Sequence, residues 1–513
     1  MLRELALALG AACVASVYAA QLPQMRDRLT EIRRLADSGD WKRADEAASA
    51  LVTQNNTSYE AYEMLGRVKD AERRYDEADA AYRRAFQLAP HAASPHVSLG
   101  VSYVQRGQTA LALEQFQQAL AIDPRNLAAL SNAGSIELSA NHFAEAEKYY
   151  QRAGELATDD AAILLGLTAA AFGADHGELA RKTASILTRT NSPSVHFSLG
   201  LLLAKNSLYA EAAEQFETVA QQGASSPELF VNLGLAHSEQ KKYGAAKINY
   251  FKAIDLSPDN PLPYTRIGSD YLAQKKGNLA IAWLFRAAKL DHGQADTLLL
   301  LGRALLSEEY FQTAQTHLAQ YARLRSDDPK GWLLLGDAYL NDEQAEKALE
   351  SYQKALKLVP HLASAHYLVG NAAYLSKRIP EAKRELLAAL HIDPSHAEAQ
   401  LRLGEIAYRE NDSATAANWF RSVLTAYPED AEARYDLAKV CVRQEQYGEA
   451  RGLLEKAVAQ HPDDIRFHYA LSQVYKRLNE SGKSEQEWAS YRTIKAEQEY
   501  QHRFIRHSHL YVE

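Results

Sequence analysis

Apolar residues recur along this chain with the period of a helix, as in Phe230, Leu233 and Leu235 or Trp332, Leu335 and Tyr339. A longer period lies over the short one. Glycine stands at Gly66, Gly100 and Gly134, then at Gly166, Gly200, Gly234, Gly268, Gly302, Gly336, Gly370 and Gly404, and every interval is 34 residues except the 32 from Gly134 to Gly166. The small residues Ala438 and Ser472 continue the ladder. Twelve residues after most markers comes alanine (Ala78, Ala112, Ala348), and sixteen after comes an aromatic residue or leucine (Tyr82, Phe116, Tyr352). A second alanine often follows at nineteen (Ala85, Ala119, Ala355) and proline at twenty-four (Pro90, Pro124, Pro360).

This pattern predicts two antiparallel helices per repeat. The small residues let the helices approach closely, and proline ends the second helix because it cannot continue one. One helix pair cannot bury its apolar face alone, so stability has to come from stacked neighbours rather than a central core. Aligned repeats such as YEMLGRVKDAERRYDEADAAYRRAFQLAP at 62–90 and WLLLGDAYLNDEQAEKALESYQKALKLVP at 332–360 resemble the tetratricopeptide repeat. The resemblance implies an all-α fold, a right-handed α-solenoid superhelix of stacked two-helix repeats, spanning residues 26–490 in about 12–14 units.

Three departures stand out. In the Gly166 repeat the turn Phe172–Gly177 reads as lengthened, Glu178 takes the alanine position, and Ala180 and Ala184 look displaced by two, which predicts a local bend. Tyr321 replaces the second alanine of the Gly302 repeat and predicts a wider gap to the next repeat. Ile32, Ala44 and Leu51 suggest a degenerate first repeat around Trp41. At the other end a helix from Lys483 to about Phe504 places Trp488, Tyr491 and Ile494 on one face, as a terminal cap requires, and 491–513 reads as the end of that helix and a polar tail.

The amino terminus differs in character. An apolar stretch from Leu5 to Val17 leads into Val17-Tyr18-Ala19, so residues 1–19 read as a signal peptide cleaved after Ala19, which predicts an extracytoplasmic (periplasmic or secreted) protein. A retained membrane anchor is the alternative, with an amphipathic capping helix third.

Charge narrows the partners. Lys+Arg 57 against Asp+Glu 65 gives a formal net charge of −8, which offers no global attraction for nucleic acid. Two distant cysteines, Cys13 and Cys441, cannot form a disulfide framework or a zinc site. Ser481-Gly482-Lys483-Ser484 lacks the preceding glycine and strand of a phosphate-binding loop, and His502, His507 and His509 read as a polar end. The sequence therefore predicts no enzyme, no cofactor and no metal.

What remains is the face of the first helices. Positions three before and one after each marker are i, i+4 neighbours. They are apolar in Val97 and Val101, Ile163 and Leu167, Phe197 and Leu201, and Val231 and Leu235. From Gly302 onward the second position turns polar, as Arg303, Asp337, Asn371, Glu405 and Lys439. Two readings of the aliphatic pairs stay open: a groove for a partner, or packing against neighbouring helices. The predicted function is a non-enzymatic scaffold that binds a protein or peptide along the groove. The alternative is an assembly factor of an envelope complex (pilus, secretion or polysaccharide export). Glycan stays open as a ligand, and membrane contact follows only from a retained anchor.

Overall fold

The computed structural model describes the backbone over residues 25–508 and side chains through Tyr500. The leader and its cleavage site lie outside the described residues. Two compact bodies divide the chain at Leu256/Ser257. Each consists of seven antiparallel helix pairs, and no strand occurs among the described residues. The degenerate first repeat pairs a helix at 25–37 with Trp41–Gln54, and Ile32, Ala44 and Leu51 are buried in it.

First helices run thirteen residues, as in Tyr59–Ala71, and most second helices fourteen, as in Tyr75–Leu88. A three-residue turn joins them, and its middle residue, seven after the marker, has positive φ: Gly39, Arg73, Gly107, Asn141, Asp175 and onward to Asn479. The turn closes with the hydrogen-bond pair of a glycine-type helix end, for example Arg74 N to Lys69 O and Arg73 N to Asp70 O, both 2.8 Å. Most of these residues are not glycine, so the two bonds hold a conformation that an L side chain disfavours.

The marker glycine makes room for one side chain. A Cβ on Gly100 would stand 2.6 Å from the Phe116 ring, and on Gly404 2.5 Å from the Phe420 ring. In each regular repeat the residue sixteen later fills that notch, so the two positions are one lock.

The Gly166 register is corrected by two residues. Helix Ala161–Gly173 places Thr168, not Gly166, at the marker position, and the turn before Gly177 has the ordinary length. The positive-φ Asp175 falls seven after Thr168, and the fully buried Ala180 twelve after it. The missing residues come instead from the second helix, Gly177–Leu187, which is eleven residues long. Sixteen after Thr168 stands the small Ala184, and Thr168 Oγ1 donates to Thr183 Oγ1 at 2.8 Å in the core. Gly166 is small for a different reason: Tyr150 of the preceding repeat lies against it.

Tyr321 does not prise its neighbours apart. It is 2% exposed, Gly331 of the next helix leaves space for its ring, and its hydroxyl donates to Asp328 at 2.5 Å.

Repeats are also pinned across their joints. The residue four before the marker reaches back to the carbonyl six residues earlier, in the preceding turn. His196 bonds Thr190 O (2.9 Å), Tyr264 bonds Pro258 O (3.0 Å), Gln400 bonds Pro394 O (2.7 Å) and His468 bonds Pro462 O (2.9 Å). These side chains satisfy carbonyls that the helix end leaves without a partner.

Candidate functional site: the first-helix face

Within each body, first helices of successive repeats pack alongside one another, as Tyr59–Ala71 does with Ala93–Gln105 and Pro261–Ala273 with Ala295–Ser307. They therefore line one continuous face of each body. In the N-terminal body three first helices enclose a groove of about 420 Å³ whose lining includes Arg33, Met64, Arg67, Val97 and Val101. In its wall the buried Asp70 accepts from Tyr82 Oη (2.9 Å), Ser102 Oγ (2.8 Å) and Arg106 (2.6 Å). A second groove, about 550 Å³, opens in the C-terminal body beside Ser269, Leu272, Leu300 and Arg303.

The structure sorts the expected face residues. Val97 and Val101 are half-buried in the first groove, Leu235 is half-buried, and Leu201 is 41% exposed. Phe197 is half-buried with its ring 5.6 Å from that of Phe216. Ile163 and Leu167 are buried, because the corrected register places them on the core side, five and one before Thr168. The face positions of that repeat are Leu165 and Ala169, both half-buried. Val231 is also buried and does not meet solvent.

Arg303 is exposed. Asp337 accepts from Tyr352 Oη at 2.6 Å, and burial raises its carboxyl above the ordinary aspartate range. Asn371 is 9% exposed, with its side-chain oxygen unbonded among the described residues. Glu405 receives Tyr374 Oη (2.7 Å), Arg402 (2.5 Å) and Arg409 (2.9 Å). Burial pushes its carboxyl up, but those donors outweigh burial and hold it below the usual glutamate range. Lys439 lies 2.6 Å from Asp436, and this carboxylate overcomes burial to raise the ammonium.

Sequence reading stopped at two positions per repeat and missed the next turn of the same face. Tyr374 and Tyr408 stand four after their markers, and Arg409 and Arg443 five after. The Arg443 guanidinium sits 3.4 Å over the Tyr408 ring, and Arg402 and Arg409 lie 4.8 and 5.2 Å over Tyr374. Lys439 completes the layer over Tyr408 and Tyr435, at 5.4 and 5.0 Å. Extending the i, i+4 count by one turn reaches Arg409 and Arg443, and Tyr374 and Tyr408 stand one position before that step.

Cys441 is buried, and burial raises its thiol to about 11, which makes it a poor nucleophile. Among the described residues no group of three His, Cys, Asp or Glu is placed to hold a metal ion, and no helix is long and apolar enough to cross a membrane. The side chains of His502, His507 and His509 lie outside those described.

Models of the tetratricopeptide repeat match residues 59–91, 97–161, 165–227, 197–261, 336–377, 367–431 and 407–474. The chain belongs to the tetratricopeptide repeat family, a family of protein-interaction scaffolds. It is similar to the type IV pilus assembly protein PilF of Pseudomonas aeruginosa, 27% identical over 160 residues, which cover 29% of this chain and 60% of PilF. It is also similar to the protein O-mannosyl-transferase TMTC1 of Mus musculus, 28% identical over 144 residues, covering 27% of this chain and 15% of that protein. The chain thus matches 60% of PilF and a much smaller share of TMTC1. Among solved structures, the Cut9–Hcn1 complex aligns over 86% of this chain at 14% identity with a TM-score of 0.38. MamA aligns over 34% at 23% identity with a TM-score of 0.32.

Proposed function

We propose that this chain is a non-enzymatic scaffold that holds an extended protein or peptide segment along its first-helix face, outside the cytoplasm. One observation carries the reading. In the C-terminal body Arg409 and Arg443 stand exposed over tyrosine rings. The neighbouring carboxylates Glu405 and Asp436 are already engaged by Arg402, Arg409, Tyr374 and Lys439, and Arg443 donates to the Tyr408 carbonyl at 2.5 Å, which leaves its remaining N–H groups toward solvent. Arginine held on an aromatic ring is preorganised and loses little freedom when it meets a carboxylate. The partner segment this stretch suits carries acidic side chains there, and apolar ones for the strip at Leu201 and Leu235. Periplasmic or secreted placement rests on the leader, so intact-mass analysis of exported protein should find a mature chain beginning at Ala20. Recovery of Met1 in the membrane fraction would favour the anchor.

Site-specific photo-crosslinking tests the face. A crosslinker at 201, 303 or 443 should capture one common partner, whereas at Leu387, 50% exposed on a second helix, it should not. Capture at Leu387 alone would refute the groove. Leu201→Asp should abolish capture with helicity unchanged, since an exposed leucine contributes little to folding.

The similarity to PilF favours a second reading, a structural assembly factor of an envelope complex. Capture of membrane-complex subunits would select it, and one soluble partner would select the adaptor.

A further inference from the structure

The last helix, Ser481–Ser508, is 28 residues long, twice the 14 of the preceding second helix Tyr447–Gln460. One side packs on Ile465–Arg477: Glu487 bonds His468 at 2.5 Å, Ser484 bonds Ser472 O at 2.9 Å, and Trp488 and Tyr491 meet Tyr469. The opposite side presents Ala489, Thr493, Ala496 and Tyr500, all exposed, along an open concavity of about 640 Å³ that Arg492 and Glu497 also line. Tyr500 is 70% exposed. The spacing of four, three and four is that of a helix–helix seam.

We infer that this side joins a second copy of the chain in an antiparallel helix pair centred between Lys495 and Ala496. The charge order singles out that partner. Reversing the helix about this centre sets Arg492 of one copy opposite Glu499 of the other, and the two-fold repeats the pair. At the centre the small Ala496 lets the backbones approach. Tyr500 of each copy covers the stretch between Ala489 and Thr493 of its mate, a large side chain on small ones.

Sedimentation velocity of the mature full-length chain across a concentration series tests this. Wild type should form a dimer, and Arg492→Glu, which sets glutamate against Glu499 twice, should weaken it by about tenfold or more. Arg492→Glu with Glu499→Arg should restore it. Oxidised Ala496→Cys should crosslink to a second copy, and Gln498→Cys, two residues on and turned away from the seam, should not. The altered residues are exposed, so circular dichroism should stay unchanged. A monomer at all concentrations, or a dimer indifferent to the charge reversal, overturns the inference.

Discussion

In the Gly404 repeat the first helix carries no side chain where Phe420 arrives from the second, and the fully packed ring fills the notch. In the Thr168 repeat the assignment is reversed. The first helix carries a branched side chain, and the second answers with Ala184 and a helix three residues shorter. The degenerate first repeat makes the same exchange with Ile32 and Ala48, both buried in one core cluster. Tyr321 and Gly331 repeat it across a joint between repeats. What the fold requires is a larger side chain on one helix faced by a small one on the other. Glycine is only the commonest way to meet it.

Emptying the notch should have the largest effect. Phe420→Ala should cost about 3–5 kcal/mol, because close neighbours on both sides prevent collapse of the cavity. Stability in a repeat array is a sum of local terms, so the readout is hydrogen exchange in Ala397–Ala426 rather than a single melting point. Protection retained there would show that the ring does not lock the pair.

Overfilling comes next. Gly404→Ile should cost about 1–3 kcal/mol, because the Phe420 ring occupies the space its side chain needs. Combining Gly404→Ile with Phe420→Ala imports the Ile32/Ala48 arrangement. The double variant should be more stable than the two losses added together, by about 0.5–3 kcal/mol of coupling. Simple additivity would break the comparison.

This exchange explains what could be read in advance. The 34-residue ladder was legible because most repeats place glycine on the same side of the lock. Reading the marker by residue identity then mistook Gly166 for the lock, although Ala180 stands twelve after Thr168 as the rule demands. The error carried Ile163 and Leu167 onto the outer positions of the first-helix face, whereas both are buried. The same habit made Tyr321 look like a wedge, since Gly331 in the next repeat was not weighed with it. The first-helix face was legible as a direction, but its exposure depends on how the neighbouring repeat seats. Val231 and Leu201 look alike in sequence and differ in the structure. Tyr374, Tyr408, Arg409 and Arg443 were missed because they lie three or four residues, one helical turn, beyond the second position counted.

The smallest effect sharpens the comparison most. Thr168 Oγ1 is placed to donate to Thr183 Oγ1 (2.8 Å) or to Leu164 O (2.7 Å), and Thr183 Oγ1 can bond Leu179 O (3.0 Å). If size alone decides the exchange, Thr168→Val, which keeps the branched shape, should be nearly neutral. If the hydroxyl pair is part of the lock, it should cost about 0.5–1.5 kcal/mol, the usual net value of one buried hydrogen bond. We expect the cost, because both threonines are almost fully buried and water cannot replace the partner. Thr183 keeps its bond to its own helix in that variant, so no donor is stranded and the loss stays near the lower end of the range. Thr168→Val with Thr183→Val should then cost little more than either change alone, since each already removes the shared bond. Hydrogen exchange in Ala161–Leu187 measures all three. Fully additive losses would mean that the hydroxyls serve only their own helices, and that volume alone sets this lock.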